Sequence, residues 1–238
     1  MRLSPLTVEI LNNFASINTE LYLRPSSEIW TCAEAGPCGA GTPLIAYAEV
    51  EDLFPVECGI YDLNRFLAAL SVFDNEAEIK FTPEEIILQG AKGQMMHYPT
   101  TTEEMLKWSH LDRAVIDTLK KNIKEAQPQV HFDISQHEIV QVQRAAGILA
   151  GGKDDDYYYT VIADKDKVRF GCSDEKLTRN KTFFVECGHT KVDDVVIFIQ
   201  RQAFGKVLNR DYKVVATDNV IQLLSNDVKY YMPTVVPK

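Results

Sequence analysis

Cys172, Cys187 and His189 place two thiols and an imidazole close together in sequence, and Cys58 offers a third thiol. These are the ligand types of a structural zinc site, but their spacing matches no common finger, where ligands come in close pairs. Buried free thiols explain them better. Asp154-Asp-Asp156 supplies oxygen ligands of the kind calcium takes, yet it lacks the glycine and distal glutamate of a calcium loop. A polar hairpin ahead of Tyr157-Tyr-Tyr159 accounts for that run. There is no phosphate-cradling glycine loop, and spacing assembles no Ser/His/Asp or Cys/His set. The reading is therefore of a protein that is not an enzyme and needs no cofactor or metal. Two other classes fit the composition: an oligomeric virion or assembly scaffold protein, and a small-molecule enzyme with widely dispersed residues.

The 238 residues carry a formal charge of −9, which argues against nucleic acid only if the charge is evenly spread. Five cysteines form an odd set with no CxxC pair, as expected of reduced thiols in a cytosolic protein. The opening MRLSPLTVEI has a proline and a glutamate where a signal peptide needs an apolar core. No apolar run approaches the roughly 18 residues of a membrane helix. A soluble intracellular protein without a membrane partner is predicted.

The elements that would position any site are stated twice. Leu63–Leu70, Glu78–Phe81, Ile86–Leu88 and His97-Tyr-Pro99-Thr100 read as a helix and three strands. Arg201–Leu208, Tyr212–Val215, Val220–Leu224 and Tyr231-Met-Pro233-Thr234 repeat that order. Upstream, Ser4 to Ile17 and Ser135 to Leu149 are both Ser-capped amphipathic helices. Ser4-Pro5 starts the first, and Ser135-Gln-His-Glu138 has capping-box form. In the first helix, Leu6, Ile10, Phe14 and Ile17 are expected to face a core, with Thr7, Asn12, Asn13 and Ser16 opposite. In the other, Ile139, Val142, Ala146 and Leu149 form the apolar stripe. The second helix of the first half is expected to run over 63–73.

Strands are predicted at 21–23, 29–33, 45–50, 56–61, 130–134, 157–163, 168–172, 182–186 and 195–199, with turns at 36–41 and 90–93. Residues 101–127 read as a charged connector with some helix, closed by Pro128. The organisation is thus an N-terminal domain over 1–100, a connector over 101–127 and a C-terminal domain over 128–238. The class is α+β, with many antiparallel strands and two short helices in each half.

Charge is unevenly placed. The helices with their immediate ends (2–17, 62–73, 135–149 and 200–210) hold six basic residues against three acidic ones, a balance of +3. The remainder therefore carries −12. Asp62 and Glu138 also sit at helix starts, where backbone N–H groups stabilise a carboxylate. Scatter of six cations over four helices is one explanation. A shared surface for an anionic partner is the other. No aromatic residue interrupts these polar faces, so base stacking is unsupported, and no helix is dense enough in Arg, Asn and Gln to read base edges. Contact with DNA would be to phosphates and independent of sequence.

Leu3-Ser4, Asn13-Phe14-Ala15 and Ile17-Asn18 resemble the opening helix of the sliding clamps of T4-like bacteriophages, the processivity factors of phage DNA polymerase. Ile60-Tyr-Asp-Leu-Asn64, Phe66-Leu67, Leu70-Ser71 and Ala77-Glu78-Ile79 resemble that family more closely. Elsewhere the similarity is one of element order. The resemblance implies the DNA-clamp fold: two similar domains with antiparallel sheets outside and two helices on the inner face. It implies a homotrimeric ring around duplex DNA, with strands continuing across subunit boundaries, loaded by an ATP-driven clamp loader and tethering the replicative DNA polymerase. It also implies service to other DNA-bound clients, including late transcription, in the cytoplasm of an infected bacterial host.

On that basis Arg2, Arg65, Arg144, Arg201, Lys206 and Arg210 are the expected DNA contacts, with Asn12, Asn13 and Gln141 as neutral neighbours. Lys120, Lys121 and Lys124 compete for the role, but a charged connector is usually a solvated one. An apolar client pocket near the connector and C-terminal segment would draw on Leu111, Val115, Ile116, Tyr231, Met232, Val235 and Val236. The chain departs from the family in its connector, which reads as more helical and charged than a proline-rich one, and in a long Cys32–Cys38 hairpin.

Overall fold

In a computed structural model of the chain, the described residues are 1–33, 44–106, 121, 129–150, 157–178, 181–192, 194–217 and 219–236. They fall into two compact units, one from the N-terminal half and one chiefly of Leu119–Lys238.

In the first unit, α1 (Pro5–Ile17) starts where Ser4 Oγ accepts the Thr7 N–H at 3.1 Å. It ends where Asn18 turns extended, its side chain donating to the Cys32 carbonyl at 3.0 Å. The buried stripe is Leu3, Thr7, Ile10, Leu11, Phe14 and Ile17. Thr7 thus lies in the core and not on the polar face. Its hydroxyl accepts from Ser4 Oγ at 3.0 Å, which removes the penalty of burying it. Leu6, expected inside, is half-buried.

The second helix, α2 (Leu63–Ser71), is capped by Asp62 Oδ1 on the Arg65 N–H at 3.0 Å and buries Leu63, Phe66, Leu67 and Leu70. It stops two residues short of the expected Phe73, because Asp74 and Asn75 take positive φ in a turn. α1 and α2 pack on each other. Around them lie the antiparallel pairs β1 (Leu21–Leu23) with β4 (Cys58–Ile60), and β2 (Glu28–Cys32) with β3 (Ile45–Glu49). A three-stranded sheet runs β5 (Glu78–Phe81), β6 (Glu85–Gln89), β7 (Met95–Pro99). Met1 closes the β5 edge, exchanging backbone hydrogen bonds with Ile79 at 2.6 and 2.8 Å. A 3₁₀ turn over Glu103–Met105 is the described helical part of the connector, and the remaining helix expected there lies outside the described residues. So do the Cys38 side of the hairpin and Asp154–Asp156.

In the second unit, β8 (Val130–Ile134) leads into α3 (Gln136–Leu149), and both capping-box hydrogen bonds of Ser135 and Glu138 are made. Ile139, Val142 and Ala146 are its buried stripe. There follow β9 (Tyr157–Asp164), β10 (Lys167–Asp174), β11 (Phe183–His189) and β12 (Val195–Gln200), then α4 (Arg201–Phe204). Three strands close the chain: β13 (Tyr212–Ala216), β14 (Val220–Leu224) and β15 (Val228–Val235). The antiparallel order is β11-β10-β9-β12-β15-β14-β13-β8.

α3 lies on β10 and β11, and α4 beside β9 and β12. The sequence extends α4 to Leu208, but it is a single turn ended at Gly205. Phe204 anchors it, with ring centroids 4.4 Å from Tyr159 and 5.2 Å from Phe170. The two units share their element order. Met1 pairs with β5 where, in the second unit, β8 pairs with β13.

Gly171 marks how closely β10 approaches β11, since a Cβ there would lie 1.9 Å from the Phe183 carbonyl oxygen. Gly171→Ala should therefore lower unfolding free energy by about 1–3 kcal/mol in urea titrations. Gly147→Ala, on an open helix position with nothing within 4 Å, should raise it by about 0.5–1 kcal/mol. A Gly171→Ala protein as stable as the parent would contradict the packing described.

Candidate nucleic-acid interface

Burying one stripe of each helix fixes which side chains meet solvent. On α1 these are Glu9, Asn12 and Ser16, with Asn13 half-exposed. Asn12 turns back on its own helix, its amide donating to the Val8 carbonyl at 2.8 Å. The open face of α1 therefore holds one carboxylate and no cation. Arg65 stands exposed on α2. On α3, His137, Gln141, Arg144 and Ile148 are all exposed and recur at helical spacing along one face. Around α4, Arg201, Lys206 and Arg210 are half-buried.

The six predicted cations are not equivalent. Arg65 and Arg144 are exposed and have no ion-pair partner among the described residues. Arg2 lies 3.1 Å from Glu76, and Arg210 Nε lies 3.7 Å from Asp227 Oδ2. Those carboxylates fall outside the segments whose balance is +3, so they reduce the positive charge the helices present. The Arg2–Glu76 pair is exposed and screened by water, so it contributes little to stability.

Among the client residues, Leu111, Val115 and Ile116 lie outside the described residues. Two of the others lie in the core. Met232 is fully enclosed and Tyr231 only 8 % exposed, because both belong to the inner strand β15. Val235 is half-buried, and Val236, at 92 % exposure, is the open apolar residue of that end.

Sequence reasoning missed two open sheet ends. Among the described residues, β7 and β11 each terminate a sheet, so a row of backbone N–H and C=O groups is left without a strand partner. No residue of β11 is fully buried, and Phe183, Phe184 and Val185 are half-exposed. Arg169 sits over the Phe184 ring at 5.9 Å. The only signal in the sequence was the aromatic pair itself. His137 was also missed, although it precedes Gln141 by one helical turn.

Among the described residues no three His, Cys, Asp or Glu side chains gather as a metal set. His189 Nδ1 lies 3.1 Å from the Asp166 carbonyl oxygen, and Cys187 Sγ donates weakly to the Val185 carbonyl oxygen at 3.7 Å. Burial pushes the Cys32, Cys58 and Cys172 thiols up to about 11. Cys187 reaches about 12, through burial first and then the nearby Glu138 carboxylate.

Comparison with known proteins places this geometry. The chain superposes on DNA polymerase III subunit beta from Pseudomonas aeruginosa with TM-score 0.61 and 9% identity, over 98% of this chain and 63% of that one. It superposes equally on the proliferating cellular nuclear antigen of Entamoeba histolytica, TM-score 0.61 and 12% identity, over 97% and 95%. The chain thus spans under two thirds of the bacterial protein and nearly all of the Entamoeba one. The fold is the DNA-clamp fold.

Within that fold the chain resembles the sliding clamps of T4-like phages. It is 27% identical over 235 residues to the sliding clamp of Vibrio phage KVP40, covering 98% of this chain and 99% of the relative. It is 38% identical over 79 residues to that of Enterobacteria phage T4, covering 33% and 32%. No family model matches the chain.

A thiol reacts as thiolate, and at pH 8 a group with a pKa of about 11 is ionised on the order of once in a thousand molecules. Iodoacetamide at pH 8 should therefore leave Cys32, Cys58, Cys172 and Cys187 largely unlabelled in the folded protein and label all four in urea, as read by peptide mass spectrometry. Rapid labelling of Cys32, Cys58 or Cys172 in the native state would contradict the burial described.

Proposed function

We propose that this protein is a sliding clamp: three copies close into a ring around duplex DNA and tether the replicative polymerase, after an ATP-driven loader opens and places the ring. The observations that carry this reading are the open polar faces of α1 and α2 in one unit and of α3 in the other, on a fold shared with clamps, with a whole-length resemblance to a phage sliding clamp. Those faces lack aromatic platforms and hold few cations.

A ring holds DNA by topology, so weak phosphate contacts suffice. Strong ones would impede sliding. Arg65 and Arg144 are the principal contacts in this account, with Gln141, Asn12 and Asn13 as neutral neighbours. Arg201 and Lys206 contribute from a half-buried setting, and Arg2 and Arg210 are attenuated by Glu76 and Asp227. The acidic remainder of the surface discourages DNA from binding outside the ring.

Closure follows from the unpaired strands. In our account β7 of one copy pairs with β11 of the next, which satisfies both rows of backbone groups and covers Phe183, Phe184 and Met95. The domains are 1–100 and 128–238, joined by the connector 101–127. Client binding is assigned to Val235 and Val236 at the end of β15 and to the connector's Leu111, Val115 and Ile116. Tethering a polymerase there makes its rebinding intramolecular, at high effective concentration. The protein would act without chemistry of its own, in the cytoplasm of the infected host.

The test is retention after loading. The protein should stay on nicked circular DNA and leave within moments when a restriction cut supplies free ends. Arg65→Ala with Arg144→Ala should shorten retention on the circle or reduce loading several-fold, while the mass in solution stays that of the parent. Equal retention on circular and linear DNA would overturn the proposal.

A further inference from the structure

Which backbone groups the open strands offer follows from the ladders on their inner sides. Along β7, the Gln94 carbonyl accepts the Gly90 N–H at 2.8 Å, and the Thr100 N–H donates to the Glu84 carbonyl at 3.1 Å. Both residues therefore turn toward β6, and antiparallel alternation turns Met96 and Tyr98 the same way. Met95, His97 and Pro99 point their backbone groups to the open side. Pro99 has no N–H to give. Thr101, next on that side, is already paired with Gly59, exchanging two hydrogen bonds of 2.9 Å. Donors on the free edge of β7 thus come from Met95 and His97, with the turn at Gly93 just before them.

β11 offers a matching run. The turn Lys165-Asp166, both residues at positive φ, sets Lys167 against Asp164 of β9, so Val168, Phe170 and Cys172 turn toward β11. Cys172 lies opposite Phe183 and Phe170 opposite Val185. Phe184 and Glu186 are left facing the open side. Beyond them the register shifts. Arg169 is opposite Glu186 but Val168 is opposite Gly188, so Cys187 has no counterpart, and Gly188 takes a φ of 134°. A bulge of this kind bends an edge strand and interrupts regular pairing. Past it the chain folds back on the β9–β10 turn, where the Thr190 N–H donates to the Asp166 carbonyl at 3.1 Å.

We propose that adjacent copies join by a short antiparallel ladder in which Met95 lies opposite Glu186 and His97 opposite Phe184. This deepens the closed-ring reading and rests on it. The ladders described in both units are antiparallel, the arrangement that is more stable per residue. Each of the two pairs exchanges both its backbone hydrogen bonds, about four in all. Sliding β7 until Pro99 meets Phe184 loses a donor. A slip of one residue sets groups already bonded within their own sheets against the partner and turns the side chains to the wrong faces. Met96 and Val185 then lie opposite each other on the other face of the ladder. Proline at one end and the bulge at the other stop the pairing. They fix its register and keep the joint short enough for a loader to part without unfolding either sheet.

The experiment is disulfide formation between copies of the full-length protein in a Cys187→Ala background. Met96→Cys with Val185→Cys should cross-link under mild oxidation into a covalent species of three copies on a non-reducing gel. Met96→Cys with Phe183→Cys, displaced along the same face, should cross-link several-fold less. On the unaltered protein, amide hydrogen exchange should slow at Met95–His97 and Phe184–Glu186 as concentration drives association, and stay unchanged at Gly188–Thr190. That measurement needs no substitution, so it decides the matter if a cysteine variant misfolds. Equal cross-linking by both pairs, or a matched pair that assembles like the parent without cross-linking, would overturn the proposal. So would protection that runs through Gly188–Thr190, or assembly with no protection at either strand. A parent whose mass in solution stays that of one copy at every concentration would overturn the closed ring itself.

Discussion

Everything the protein presents to a partner depends on the rotational setting of its helices, and apolar burial decides that setting. α1 seats Ile10, Leu11, Phe14 and Ile17 inside, α2 seats Leu63, Phe66, Leu67 and Leu70, and α3 seats Ile139, Val142 and Ala146. Each fully buried large side chain contributes about 1.5–3 kcal/mol, so turning a helix by a residue would forfeit several of these at once. No surface charge pair competes with that. The polar stripes left over are consequences of the packing, so their side chains can be changed without endangering the fold.

The caps show how sequence and packing cooperate. Ser4-Pro5, Asp62 and Ser135 with Glu138 start their helices through local hydrogen bonds, and each was visible or half-visible as a motif. The same locality made most strands legible, along with the matching order of the two halves. Where the reading failed, the deciding partner was remote or the balance was tertiary. Thr7 looked polar until Ser4 was seen to satisfy its hydroxyl. Helix α4 looked two turns long, but its one turn is held by rings from β9 and β10, and Gly205 ends it.

The candidate site was legible to a similar degree. Arg65 and Arg144 emerged from the charge balance of the predicted helices and are exposed. Arg2 and Arg210 looked equivalent to them, but Glu76 and Asp227 lie far along the chain, and no local pattern announces such pairings. Met232 was one of several apolar residues that could serve a pocket or the core, and the strand order that encloses it is not a local signal. The unpaired β7 and β11 were invisible for the converse reason, since strand order is a property of the fold. The resulting helix faces are only weakly cationic.

The central claim is that the polar helix stripes face the duplex while the strand surfaces turn away from it. Site-specific photocrosslinking on protein loaded onto circular DNA measures this most directly. With the crosslinker at Asn12, Arg65 or Gln141 the account predicts DNA adducts, and with it at Lys167 or Glu186, exposed on β10 and β11, it predicts none. Adducts confined to the strand positions would contradict the account.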